Sequence, residues 1–139
     1  MTVRKEIQLP PFRRGLHLIT DLIQRELASI KNLPQDGLVN LFLMHTSAAL
    51  TISENFDSEV PADLNTFLNR LAPDSHSAYR HSSEGADDMP AHIKSSMLGV
   101  SLTIPFSSGR LLLGTWQGIF LCEFRDHPSA RKIVVTING

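Results

Sequence analysis

Cysteine is almost absent from this chain: Cys122 is the only one in 139 residues. That excludes an intrachain disulfide and a cysteine-rich zinc site. Cys122 lies in the apolar run IFLCEF, where it reads as a small buried hydrophobe. Long hydrophobic runs are missing too, and no stretch approaches the ~20 apolar residues that cross a bilayer. Neither sign of charge dominates: 13 basic and 14 acidic residues leave a formal net charge of −1. Such balance argues against broad electrostatic binding to nucleic acid or to an anionic membrane. The opening MTVRKEIQLPPFRRG has no apolar signal core, so a cytoplasmic, reduced setting is expected. There is no HExxH, no Cys/His finger spacing, no glycine-rich phosphate loop and no internal repeat. What remains is an ordinary globular composition, 42% hydrophobic and 19% charged, long enough for one domain with a real core.

Periodicity organises the rest. Val3 to Leu9 alternates like a strand, and Leu16 to Ile30 spaces its apolar residues like one amphipathic helix. Pro34 to Gly37 reads as a turn. Leu38 to Met44 is an apolar run of strand length, suited to the middle of a sheet, and Ala49 to Ser53 resumes a strand pattern. Ser58 to Leu71 is expected to be helical, capped by Asp57 or Ser58, with Val60, Leu64, Phe67, Leu68 and Leu71 as its buried stripe. Ala72 to Pro90 is a polar break too long for an idle connection. Pro90 to Leu98 follows as a short helix stopped by Gly99. The end of the chain reads as strands: Val100–Phe106, a hairpin turn at Ser107–Arg110, Leu111–Trp116, Ile119–Arg125 and Arg131–Ile137. Strands and helices are partly segregated. The expected fold is therefore α+β, a single compact domain over residues 1–139 with a mixed, largely antiparallel sheet and about three helices.

Three histidines stand on three kinds of local structure. His45 closes the apolar run and precedes Thr46 and Ser47; His81 lies in the polar loop; His92 lies just inside the following helix. Three imidazoles with an open fourth position are one way to hold a catalytic divalent metal. A buried, hydrogen-bonded ring is the plain alternative at His45. Glu84, Asp87 and Asp88 fall between His81 and His92. Carboxylates there orient an imidazole, act as general base, or are merely solvated, and Asp88 has the further choice of capping the helix. Lys94, Ser95 and Ser96 sit in the first two helical turns, either as an anion site or as a solvated face. Asn55 follows a strand, a common place for site residues. The break Gly114-Thr-Trp-Gln-Gly118 either sets Trp116 and Gln117 against a ligand or is a bulge. Glu123 and Arg125 share a strand face and reach one site or pair together. Arg131 and Lys132 read as surface charges, and His17, His76 and His127 as non-ligands.

The blocks HTSAALTISEN (His45 to Asn55), YRHSSEGADDMPAHIKSSMLG (Tyr79 to Gly99), IPFSSGRLLLGTWQGIFLCEFR (Ile104 to Arg125) and the closing RKIVVTI resemble the YjbQ-type family. Its members are small proteins labelled secondary thiamine-phosphate synthases, and the resemblance runs over essentially the whole chain. It matches the family's HTS histidine to His45, the histidine after the tyrosine to His81, and the AHIK histidine to His92. Glu84, Asp87 and Asp88 match its acidic block, and Trp116 and Gln117 its GTWQ segment. The resemblance implies a compact α+β homotrimer with a metal ion in a histidine-lined cleft near subunit boundaries. It also implies a low thiamine-phosphate synthase activity, joining a pyrimidine pyrophosphate to a thiazole phosphate. A divalent ion, helped by Lys94, would neutralise the departing pyrophosphate.

The resulting expectation is a metal-dependent enzyme acting on a small phosphorylated or anionic substrate, with neither nucleic acid nor membrane as partner. His45, His81 and His92 hold the ion, zinc by preference or magnesium with a pyrophosphate substrate. Glu84, Asp88 and Lys94 are catalytic. Thr46, Ser47, Asn55, Ser96, Trp116, Gln117 and Arg125 bind substrate. The rivals are a hydrolase that uses the ion to activate water and a module that binds a ligand without turnover.

Overall fold

The computed structural model describes all 139 residues. The apolar run near residue 40 forms β3 (Asp36–Leu43), the central strand of a five-stranded sheet. The other members are β1 (Thr2–Gln8), β8 (Lys132–Asn138), β5 (Ser101–Ser107) and β6 (Arg110–Leu111), in the order β1-β8-β3-β5-β6. A second sheet has the order β2-β7-β4, from β2 (Gly15–Leu18), β7 (Gln117–Glu123) and β4 (Ala48–Glu54). Every pairing is antiparallel. With α1 (Thr20–Ala28), α2 (Glu59–Leu71) and α3 (Asp88–Leu98), the fold is α+β with three helices.

Period-two alternation builds the core. Val39, Leu41 and Leu43 of β3 point inward beside Ile133, Val135 and Ile137 of β8, and meet Leu50, Ile119 and Leu121 of the other sheet. Burying each such leucine or isoleucine contributes about 1.5–3 kcal/mol relative to leaving it exposed. Strand β7 is buried on both faces. Its alternate residues Phe120 and Cys122 join Ala49, Phe124, Leu68 of α2 and Ala91 of α3 in a second cluster. Cys122 is thus the buried hydrophobe expected, and burial pushes its thiol up to about 12. The hairpin turn before β6 has Ser108 at φ 51° and Gly109 at φ 80°, the pair of left-handed residues that a two-residue turn needs.

Three expectations are corrected. Leu16 to Ile30 is not one helix: Gly15–Leu18 pairs with β7, and the helix starts at Thr20. The apolar spacing at Leu16 and Ile19 fits either period, and pairing with the centre strand decides it. Leu111–Trp116 is not a strand beyond Leu111, because Gln117 Oε1 accepts from the Gly114 N–H (2.8 Å) and closes a turn. The stripe of α2 is mostly open: Leu68 is buried, whereas Phe67 and Leu71 are 59% and 68% exposed. That helix docks through Leu68 and through Asn69, whose amide oxygen accepts from Lys94 and Arg14.

Candidate metal centre

The α3 helix sets Asp88 and His92 four residues apart, on one face near its start. The loop before it folds back through Ser75 N–H to Ala86 O (3.3 Å) and Gly85 N–H to Ser82 O (3.4 Å), bringing His81 over the same face. Gly85 has φ 111°, and a Cβ there would meet Asp87 Oδ1 at 2.9 Å, so the loop needs glycine at this point. One ligand atom each from His81, Glu84, Asp88 and His92 then lies within 4.8 Å of the other three.

Asp88 is the floor of this group, its side chain 2% exposed. Its Oδ2 lies 2.6 Å from His81 Nε2 and 3.0 Å from His92 Nε2. Glu84 Oε2 lies 3.1 Å from His81 Nε2 and is the open member, 63% exposed. Arg125 follows β7 and fixes the acidic pair from below. Its Nε donates to Asp87 Oδ2 (2.9 Å), its Nη1 to Asp88 Oδ1, and its Nη2 to the Glu84 carbonyl (2.9 Å). The backbone N–H of Asp126 completes Asp87 (2.9 Å). Burial alone would raise the pKa of Asp88; the hydrogen bond from His81 and the charges of His92 and Arg125 outweigh it and hold the carboxyl below its ordinary value. His81 is raised, first by its hydrogen bond to Asp88 and then by the charges of Asp88 and Glu84, against the opposing effect of burial.

The tautomer of His92 follows from its neighbours. Its Nδ1 lies 2.8 Å from the Thr46 carbonyl, which can only accept, so Nδ1 carries the proton. Nε2 is then a lone pair in the neutral ring, the state a metal ligand requires. For both Nε2 lone pairs, of His92 and His81, to converge on a cation, neither atom can carry a proton. Two imidazole nitrogens and two carboxylate oxygens, with Thr46 orienting His92 and Arg125 orienting Asp88, form a donor set that fits a divalent transition metal.

The expected site residues divide sharply. His81 and His92 meet; His45 stands apart from the ligand group, its Nε2 accepting from the Lys132 N–H (2.9 Å). Asp88 and Glu84 are at the centre. Lys94 is not available to a substrate: it is fully buried, donates to Asn69 Oδ1 (2.7 Å) and lies 4.8 Å from the centroid of the Phe124 ring. Burial, then the charge of Arg14, pushes its pKa down to about 8. Arg125 organises the carboxylates rather than meeting an anion. Thr46 and Ser47 act through their carbonyls, toward His92 and Arg131 (3.3 Å). Ser96 lines a cavity of about 710 Å³ on the His92 side, together with His45 and Thr46.

Asn55, Trp116 and Gln117 lie elsewhere. In the β4–β7 pair, Ala48 is opposite Glu123 at the histidine end, and Glu54 is opposite Gln117 at the other. Six strand residues separate the ends, about 20 Å at the usual rise. There Asn55 Nδ2 donates to the carbonyls of Thr115 and Gln117 (both 3.2 Å), and Trp116 lies edge-on to Phe56 at 5.6 Å.

The sequence reading missed the buried ion pair of Arg131 and Glu123, 5% and 1% exposed, with a shortest contact of 2.7 Å. Burial raises the pKa of Glu123 even beside that guanidinium. An acidic residue inside the apolar run IFLCEF was the available signal. His17 donates to the Arg13 carbonyl (2.6 Å), and His76 accepts from the Ala78 N–H (3.0 Å); neither these nor His127 enters the ligand group.

Comparison with known proteins agrees with this architecture. Residues 5–139 match the family described as UPF0047 protein YjbQ-like. The UPF0047 protein YjbQ of Salmonella typhimurium is 50% identical over 139 residues, all of this chain and 99% of that one. UPF0047 protein YugU of Bacillus subtilis is 40% identical over 103 residues, covering 74% of this chain and 75% of that one. Among solved structures, a conserved hypothetical protein from Thermus thermophilus superposes with a TM-score of 0.81 at 37% identity, covering 94% of this chain and 97% of that one. A YbjQ-like protein of unknown function from Sulfolobus solfataricus gives 0.84 at 28% identity, covering 99% and 96%. With the match spanning nearly every residue, the chain belongs to the YjbQ-like UPF0047 family.

Proposed function

We propose that this protein is a metal-dependent enzyme in which His81, Glu84, Asp88 and His92 hold one divalent ion. The observation that carries this reading is the convergence of their four ligand atoms, with His92 locked by Thr46 into the ligating tautomer. Two imidazoles favour zinc over magnesium, which prefers oxygen alone. When bound, such an ion would polarise a carbonyl or phosphoryl oxygen. Arg125 holds the Asp88 carboxylate in place, and Glu84, the exposed member, has a second carboxylate oxygen left to take a proton from a substrate or a water. Cavities of about 710 Å³ and about 340 Å³ border the cluster, one lined by His92 and the other by His81. Each cavity shares one ligand residue with the cluster, so a small molecule in either would lie beside it.

The thiamine-phosphate synthase reaction implied by the resemblance belongs here as a side activity. Lys94 is buried and Arg125 is paired, so a diphosphate would depend on the ion for its neutralisation. A second reading, a module that holds metal and ligand without turnover, is favoured by one observation: apart from Glu84, each charged group of the cluster is already engaged. Homotrimeric assembly is part of the proposal, supported by the resemblance and by exposed Phe67 and Leu71, which self-association would cover. No helix is long and apolar enough to cross a membrane.

Metal content by plasma mass spectrometry tests the central claim. One zinc per chain in the native protein, lost in folded His81→Ala and His92→Ala and retained in His45→Ala, is the expected result. A native protein that stays free of metal after equilibration with zinc removes the reading. Sedimentation at the monomer mass would remove the trimer.

A further inference from the structure

One histidine is left over from the metal group, and its hydrogen bonding specifies what it offers. His45 Nε2 faces the Lys132 N–H, a group that can only donate, so Nε2 accepts and the neutral ring carries its proton on Nδ1. No protein atom accepts from that Nδ1. The single sealed polar side-chain atom without a partner is Asn65 Oδ1, so the unpartnered Nδ1 of His45 remains accessible. His45 lines the cavity of about 710 Å³ beside His92. Ser95 lines it too, is 4% exposed, and its hydroxyl likewise has no protein partner. Two donors without acceptors therefore border one cavity, one of them on a side chain more than nine-tenths buried.

The rest of the wall sets the kind of guest. Phe42, Met44 and Val100 supply apolar surface, and Phe42 and Met44 stay 46% and 50% exposed without a guest. No lysine or arginine lines the cavity. Lys94 is buried against Asn69 and Phe124; Arg131 is bound to Glu123; the Lys132 ammonium lies 3.6 Å from Glu6. Burial, and then the charges of Arg131 and Lys132, lower the pKa of His45 and keep it a neutral donor. In the metal-free protein an anion would lose hydration in this cavity without gaining an ion pair, whereas a neutral acceptor exchanges water for fixed donors.

We infer that this cavity binds an uncharged, largely apolar small molecule through a carbonyl oxygen or ring nitrogen that accepts from His45 Nδ1–H and Ser95 Oγ–H, with its body on Phe42, Met44 and Val100. The guest's status as a substrate rests on the metal reading above, because His92 is shared between cavity and cluster; the binding itself needs no ion. This adds a neutral ligand to the anionic substrate expected from the sequence, and gives His45 a recognition role in place of ligation.

The test uses acetophenone as probe, with ethylbenzene lacking the acceptor and benzoate carrying charge, on the full chain after dialysis against a chelator. Long-range proton–nitrogen correlation of the histidine rings should show His45 as the Nδ1–H tautomer at pH 7; an Nε2–H or doubly protonated ring overturns the assignment. Acetophenone should shift the Met44 and Val100 methyls saturably and bind more tightly than benzoate; absent saturation, or tighter benzoate, overturns the ligand class. His45→Phe and Ser95→Ala should each weaken acetophenone roughly three- to tenfold, the worth of one neutral hydrogen bond, and leave ethylbenzene unchanged. If both variants retain the native preference for acetophenone, the donors are not the recognition elements. Zinc stoichiometry measured on the same preparations after re-equilibration with zinc separates the two claims. Zinc bound with no acetophenone site sinks only this inference, and the reverse sinks only the metal reading.

Discussion

The two ends of the β4–β7 pair differ in how their polar groups are held. At the histidine end the partners come from four separate stretches of chain: the His81–Asp88 loop, α3, the Thr46–Ser47 segment and the Arg125–Asp126 segment. At the Trp116 end, Asn55 and Gln117 staple the backbone of adjoining residues, and Trp116 leans on Phe56 with 59% of its surface exposed. The first end gathers four ionisable groups of one twelve-residue segment and orients them from two distant ones, through the Thr46 carbonyl and Arg125. The second is local turn chemistry with an aromatic cap. Polar richness alone does not mark a site; convergence of titratable groups held in place by distant segments does.

Mutations sharpen that contrast. Asp88→Asn removes the carboxylate that both imidazoles share and should lower zinc affinity roughly 100-fold or more, since changes even to supporting groups cost 10–100-fold; competition against a chelator of known affinity measures it. Native-like affinity in that variant would place the ion elsewhere. Glu123→Ala leaves Arg131 buried and unpaired at the same end, and should lose about 3–5 kcal/mol in urea unfolding. A loss under 1 kcal/mol would mean water reaches Arg131 and the pair is not sealed. Arg125→Lys keeps the charge but not the planar fork that spans Asp87, Asp88 and the Glu84 carbonyl, so zinc affinity should fall roughly tenfold with the fold intact. An unchanged affinity would show that Asp88 is oriented by the histidines alone. Trp116→Ala, at the far end, should change stability by no more than about 0.5 kcal/mol and leave zinc binding untouched. Any loss of zinc on that substitution would contradict the separation of the two ends.

Much of the fold was readable from pattern. The apolar run near Leu41, the hairpin at Ser108–Gly109 and the helix carrying His92 all lie where periodicity and turn chemistry place them. Leu16 was misread because Leu16, Ile19, Ile23 and Leu27 satisfy a helical period, and only pairing with β7 separates strand from helix. His81, His92, Glu84 and Asp88 were legible because they crowd within twelve residues. Lys94 was not: near the start of a helix it looks exposed, and Phe124 and Asn69, which bury it, arrive from other elements.

By itself, the sequence determined the kind of protein this is: one α+β domain without disulfides or membrane-spanning helices, carrying imidazoles and carboxylates in short blocks. Those properties follow from composition and local period, which depend on neighbours along the chain. The tertiary structure alone decided which of those groups meet. Asp88 could have capped its helix, and instead Arg125 and two imidazoles take its oxygens. His45 shares the histidine-rich character of the set, yet the Lys132 N–H occupies its Nε2 and turns the ring into a donor. Hydrogen bonds are directional and short-ranged, so a side chain's role is set by the atom that comes within about 3 Å of it in space, and that atom is most often far away in sequence.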